Sequence, residues 1–154
     1  MSKVLVIADT HVGSDNGLST PEGIAPDKRE TTDCLGLYEK FCVVLDWVGK
    51  VDWVFHLGDG CDGWNPREHG DNRTATENDQ VKRLVQLLRM VKGSPKFCYV
   101  DGTAYHRGSR QLDEQVAKAI GAEPHPIYGY HAHPSLNKNV DGLQFNLCHC
   151  ITVS

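Results

Sequence analysis

Three largely apolar runs, each ending in a polar turn, constrain what this chain can fold into more than any other feature. The first, residues 4–8 (VLVIA), is rich in Val and Ile and leads into Asp9-Thr10-His11. A run that is apolar on both faces reads as a short strand buried in the middle of a sheet. The second, residues 52–57, ends in Gly58-Asp59-Gly60, and the third, residues 96–100, ends in Asp101-Gly102-Thr103-Ala104-Tyr105-His106.

Helical periodicities separate these runs. Residues 29–50 carry Leu35, Tyr38, Phe41, Val44, Leu45 and Val48 at helical spacing, and residues 74–92 carry Val81, Leu84, Val85, Leu88 and Val91 on one side. Residues 111–120 read as a third helix, with Gly121 where a residue closing a helix C-terminus is expected. The remainder reads as two strands about a turn at Val140-Asp141-Gly142-Leu143, the second strand covering residues 143–150. This order predicts a layered α/β fold, its central sheet flanked by crossover helices. Parallel strands gather Asp9/His11, Asp59 and His106 at their C-terminal ends, where such folds usually display their chemistry. Two polar loops, residues 13–27 and 61–73, exceed ordinary connections and are candidate substrate-side loops.

The length of 154 residues suits one domain, and 40% apolar with 23% charged residues is a globular balance. A net charge of -4 argues against broad electrostatic binding of nucleic acid, while leaving metal ions or a local patch able to recruit phosphate. No apolar run approaches membrane-spanning length, and no small-residue cleavage site follows the first strand, so a cytoplasmic protein with no membrane partner is expected. The six cysteines lack the framework of a small secreted domain and are expected as reduced, mostly buried thiols. Cys148-His149-Cys150 has a zinc-like composition, but such a site needs a fourth ligand and usually wider spacing.

Carboxylates and neutral imidazoles are the usual ligands of divalent Mn, Fe and Zn. A carboxylate in a Gly-Asp-Gly turn has room on either side, so Asp59 suits a bridge between two ions, with Asp9 and His11 completing the first. Two ions about 3.5–4 Å apart clamp a phosphoryl group and stabilise both the attacking and the leaving oxygen.

At this point the residues resemble the calcineurin-like metallophosphoesterases over nearly the whole chain. Asp9-Thr10-His11 matches that family's Asp-x-His, and Gly58-Asp59 its Gly-Asp. Gly102-Thr103-Ala104-Tyr105-His106 looks like the GTxxH form of its Gly-Asn-His motif, and Leu147-Cys148-His149 looks like its lone histidine after a late strand. The resemblance implies a two-metal site, with Mn favoured over Fe or Zn, that hydrolyses a phosphomonoester or phosphodiester by attack of a metal-bound hydroxide. It implies that Asp9, His11 and Asp59 are metal ligands, that His149 holds the second ion, and that His106 protonates the leaving alkoxide or steadies the transition state. Nothing selects among nucleic acid, nucleotide and phosphoprotein as the substrate.

Two departures from the family pattern stand out. Thr103 offers a hydroxyl where the family's asparagine offers an amide oxygen, so the second site is expected to be weaker. No Gly-His-x-His follows His149, although that motif normally gives one ligand to each ion. One expectation is therefore that the chain is a domain truncated at its C-terminus. Another is that Gly129-Tyr130-His131-Ala132-His133 replaces the motif, with His125 as the lone histidine. A third is that water or a partner completes the site, or that the chain is an inactive metal-binding or scaffold module.

Other polar residues have two readings each. Arg107 can pair with substrate phosphate through its planar fork or form an exposed salt bridge. Trp64 and Asn65 can line a pocket or pack within their loop. His56 is expected in the core or supporting the ligands, Asp62 as a turn or supporting acceptor, and His69 in solvent. His131 and His133 share a strand face, suited to a metal or to a polar outer surface.

Overall fold

Val4–Ile7 form β1, Val51–His56 form β2 and Gly93–Tyr99 form β3, and the three make one parallel sheet in the order β1-β2-β3. The structure, a computed structural model, describes residues 1–14, 16–23, 31–63, 76–103, 106, 111–127, 129 and 135–149, with residues 31–33 in backbone alone. Helix α1 (Thr31–Val48) joins β1 to β2, α2 (Glu77–Arg89) joins β2 to β3, and α3 (Leu112–Ile120) follows β3. Strands β4 (Ser135–Val140) and β5 (Leu143–Cys148) form a separate antiparallel hairpin. The architecture is thus α/β, a three-stranded parallel sheet with alternating helices plus a β-hairpin.

The sheet separates two cores. On the helix side Leu45, Val54, Leu84, Leu87, Leu88 and Val116 are buried together, with Leu5 and Ile7 packed against them. On the other side Trp53, Phe55, Cys98 and Val100 meet Leu136, Val140 and Leu147 of the hairpin. Phe145 closes edge-on against Phe55 with ring centroids 5.4 Å apart. The ammonium groups of Lys96 and Lys138 lie 5.1 and 4.4 Å from the Trp53 ring, near enough for cation–π attraction. The hairpin turns on Asp141 and Gly142, both at positive φ, which matches the right-handed twist of its strands.

Local chemistry sets the boundaries. Thr76 caps α2, its hydroxyl accepting from the Asp79 N–H, and Gly121 closes α3 in the left-handed conformation. β3 begins at Gly93 rather than at residue 96, despite Pro95. Val51 pairs with Gly93 and Trp53 with Lys96, so β3 carries an extra residue there and Pro95 falls inside the irregularity, where its missing N–H is tolerated.

Two expectations about packing fail. β1 is an end strand of the described sheet rather than a central one, and Val6 is 53% exposed, because among the described residues β1 pairs only with β2. Helix α1 buries Cys34 and Leu45 but leaves Leu35 and Val44 exposed, and Trp47 is 86% exposed. A groove of about 500 Å³ lies between β1 and α1, lined by Val6, Ala8, Leu37, Phe41 and Val44 among others. Among the described residues, no helix is long and apolar enough to cross a membrane. The five described cysteines carry free thiols, with Cys34, Cys61 and Cys98 buried.

Candidate metal centre

The parallel strands end in register. Ile7 pairs with His56 and His56 with Tyr99, so the turns that follow them start from one edge. The first two turns then run side by side. Asp9 N–H donates to Gly58 C=O at 3.2 Å, His11 N–H to Asp59 C=O at 3.0 Å, and Val12 N–H to Gly60 C=O at 2.9 Å. Along this path Asp9, His11 and Asp59 all hold positive φ, at 52°, 43° and 48°. Residues other than glycine reach that region at a cost, and such outliers cluster at functional sites.

The third turn presses directly on the second. A Cβ on Gly58 would stand 2.6 Å from the Gly102 Cα, and one on Gly102 would stand 2.1 Å from Asp59 Oδ1. Only glycine permits that approach. It delivers the Thr103 N–H to Asp59 Oδ1 at 2.7 Å and the Thr103 hydroxyl to both carboxylate oxygens, at 3.1 and 3.2 Å.

His149 reaches the same carboxylate from the end of β5. Its Nδ1 lies 2.6 Å from the Leu57 carbonyl and its Nε2 lies 3.0 Å from Asp59 Oδ2. A carbonyl oxygen only accepts, so Nδ1 carries a proton and donates. In the neutral ring Nε2 then presents a lone pair to a carboxylate oxygen, an arrangement that calls for a cation, either a proton or a metal ion, between the two. Both side chains are nearly closed to solvent, at 7% and 6% exposure.

On the other side of Asp59, His11 and His106 meet edge-on with centroids 4.4 Å apart. Asp62 faces both rings, its Oδ1 3.7 Å from His11 Nδ1 and 3.3 Å from His106 Nδ1, and its carbonyl oxygen lies 3.2 Å from His106 Nδ1. The His11 pKa is raised, chiefly by its interaction with Asp62, against the opposing effect of burial, and further by Asp59 and Asp9. The same field draws any cation.

Two candidate ligand sets result, sharing Asp59. One donor atom from each of His11, Asp59 and His106 lies within 4.8 Å of the others, and the same holds for Asp9, Asp59 and His149. Oxygen and imidazole donors at this spacing fit divalent first-row ions.

A buried layer supports the turns. His56 is fully buried, and burial, reinforced by His149, pushes its pKa down to about 3, so it is neutral. Gly58 N–H donates to its Nδ1 at 3.2 Å, which leaves the proton on Nε2, 3.5 Å from the Thr10 hydroxyl. That hydroxyl donates in turn to Gly60 C=O at 2.8 Å. Tyr99 stacks on His56 at 4.4 Å, and the Tyr99 hydroxyl donates to Asp113 at 2.7 Å.

The structure therefore brings together Asp9, His11, Asp59, Thr103, His106 and His149. His125 belongs to neither ligand set among the described residues, and its Nδ1 accepts from the Ile127 N–H instead. Cys148 joins neither set, and Cys150 lies outside the described residues, as do Arg107, Trp64, Asn65, His69, His131 and His133. Asp113, Tyr99, Thr10 and Gln80 were not singled out by sequence. Asp113 carries the ordinary signal of an acid in the first turn of a helix. Gln80 sits on the α2 face toward the core and accepts from the Gly63 N–H at 3.0 Å. A scan against protein-family models finds no match to this chain, and a search of curated proteins finds none either.

Proposed function

We propose that the chain is a metal-dependent phosphoesterase domain built on a layered metallophosphoesterase-like sandwich. The observation that carries the reading is the Asp59 carboxylate, shared by two ligand sets and facing a His149 Nε2 whose ring is already committed to Leu57. The assignment to phosphate esters comes from the resemblance of the Asp-x-His, Gly-Asp and late-histidine motifs, and from the suitability of two adjacent cations for phosphoryl transfer.

Asp9, Asp59 and His149 would hold one ion, and His11 with Asp59 the other, so Asp9 and His11 would serve different ions rather than completing the first together as expected, with Mn favoured over Fe or Zn. Divalent ions there would supply Lewis acidity toward a phosphoryl oxygen and would lower the pKa of water enough to make it a nucleophile near neutral pH. The protein's own part is positioning and proton handling. Asp62 fixes the His106 ring through Nδ1, which makes Nε2 the nitrogen to exchange a proton with the leaving oxygen. Thr103 holds the Asp59 carboxylate by two kinds of donor, so its hydroxyl steadies that ligand, and its oxygen would be the neutral donor offered to the second ion.

The test is Mn-dependent hydrolysis of a chromogenic phosphodiester by the 154-residue chain, beside Asp59→Asn. Activity that disappears in the variant supports the phosphoesterase. Mn binding by the wild type with equal background rates in both proteins favours a metal-binding module that does no chemistry.

A further inference from the structure

Two glycine amides flank the site, and each donates to a buried side chain rather than to a strand. Gly58 N–H goes to His56 at 3.2 Å, and Gly102 N–H goes to the carboxylate of Asp113, at 2.9 Å to Oδ2. Asp113 is the second residue of α3, and its other oxygen takes the Tyr99 hydroxyl at 2.7 Å. An acid in the first turn of a helix ordinarily stays in water near the helix's own free N–H groups. Asp113 is instead 3% exposed.

A buried carboxylate is costly unless donors surround it, and here one donor comes from the turn that carries Thr103. Gly102 precedes Thr103, which holds the Asp59 carboxylate by its N–H and its hydroxyl. The Tyr99 ring, stacked on His56, connects Asp113 to the support of the other glycine, Gly58. One side chain thus holds the backbone that lies against Asp59 without touching the ligand atoms.

We infer that Asp113 is a positioning residue, which clamps the Gly102 turn so that the Asp59 carboxylate is fixed for cation binding. The inference rests on the metal-centre reading above. It separates metal affinity from general stability, because a packing defect elsewhere in α3 leaves the clamp intact. Partners that orient metal ligands typically contribute about 10–100-fold to affinity.

The test is calorimetric titration of the full chain with Mn²⁺, well below the unfolding temperature, for the wild type, Asp113→Asn and Val116→Ala. Val116 is fully buried in α3 and remote from the turns in role, so its variant reports packing loss alone. The expected result is Mn²⁺ affinity weakened about 10–100-fold in Asp113→Asn and unchanged in Val116→Ala. Equal affinity in Asp113→Asn and the wild type, or an equal loss in Val116→Ala, overturns the positioning role while leaving the metal centre standing. No Mn²⁺ binding by the wild type overturns the metal centre itself and the clamp with it. Should Asp113→Asn not fold, amide exchange in the wild type decides the matter. A Gly102 amide as slow as the Val54 amide supports the clamp, and exchange at open-loop rates refutes it.

Discussion

His149 Nε2 stands 3.0 Å from Asp59 Oδ2 although the two residues come from different sheets, one at the end of β5 and one beyond β2. The ring is held there by its Nδ1–H bond to Leu57. Replacing His149 by Ala is expected to weaken Mn²⁺ binding by more than the about 10–100-fold typical of supporting residues. Calorimetric titration measures the loss, and circular dichroism establishes that the fold persists. Undiminished affinity would remove His149 from the ligand set.

Acid should destabilise the protein through His56. Its folded pKa of about 3 lies below the ordinary 6.5, so between those values the unfolded chain binds a proton that the folded chain refuses. Stability from this group is therefore full above pH 6.5 and falls by about 1.4 kcal/mol for each pH unit below it, down to about pH 3. His11 works in the opposite direction, since its raised pKa adds stability at low pH that is lost as pH rises. Urea unfolding at pH 7 and pH 4.5, compared between wild type and His56→Gln, isolates the His56 contribution. The wild type should lose about 3 kcal/mol more than the variant over that interval.

Gly102→Ala and Gly121→Ala make a contrasting pair. At Gly102 a Cβ meets Asp59 Oδ1 at 2.1 Å and the Asp59 backbone N at 2.3 Å, whereas at Gly121 it meets nothing within 4 Å. Overpacking at Gly102 should cost about 1–3 kcal/mol and abolish Mn²⁺ binding. Gly121→Ala carries only the left-handed backbone penalty of about 1–2 kcal/mol and should keep wild-type affinity. Thermal unfolding and metal titration of both variants check the distinction.

The two sides of the helix layer should respond differently to substitution. Leu87 is fully buried, and Leu87→Ala is expected to cost about 2–5 kcal/mol. Trp47, exposed on α1, should accept Lys within about 0.5 kcal/mol, and the variant should self-associate less in sedimentation.

The parallel sheet was legible because its strands are apolar runs, its helices repeat at 3.6 residues, and Gly121 and Asp141-Gly142 mark a cap and a turn. What sequence missed were consequences of neighbours. A continuous apolar run at residues 4–8 suggested burial on both sides, but burial depends on what pairs beyond β1, and Val6 is left exposed. The third strand was expected from residue 96 and begins at Gly93, because the bulge that accommodates Pro95 is visible only once two strands are aligned. The candidate ligands that converge were readable as polar residues closing strands. Asp113 was not, since a helix-start acid looks the same whether it faces water or a glycine turn.

The hairpin brings one consequence of its own. Asp9, His11, Asp59 and Thr103 extend from the parallel sheet, while His149 alone among the ligand candidates arrives from β5. A cation held between Asp59 and His149 would therefore act as a rivet through two sheets otherwise joined largely by apolar packing around Trp53 and Phe55. Loading the ion and seating the hairpin would then be a single event, and prising the hairpin away would release the metal.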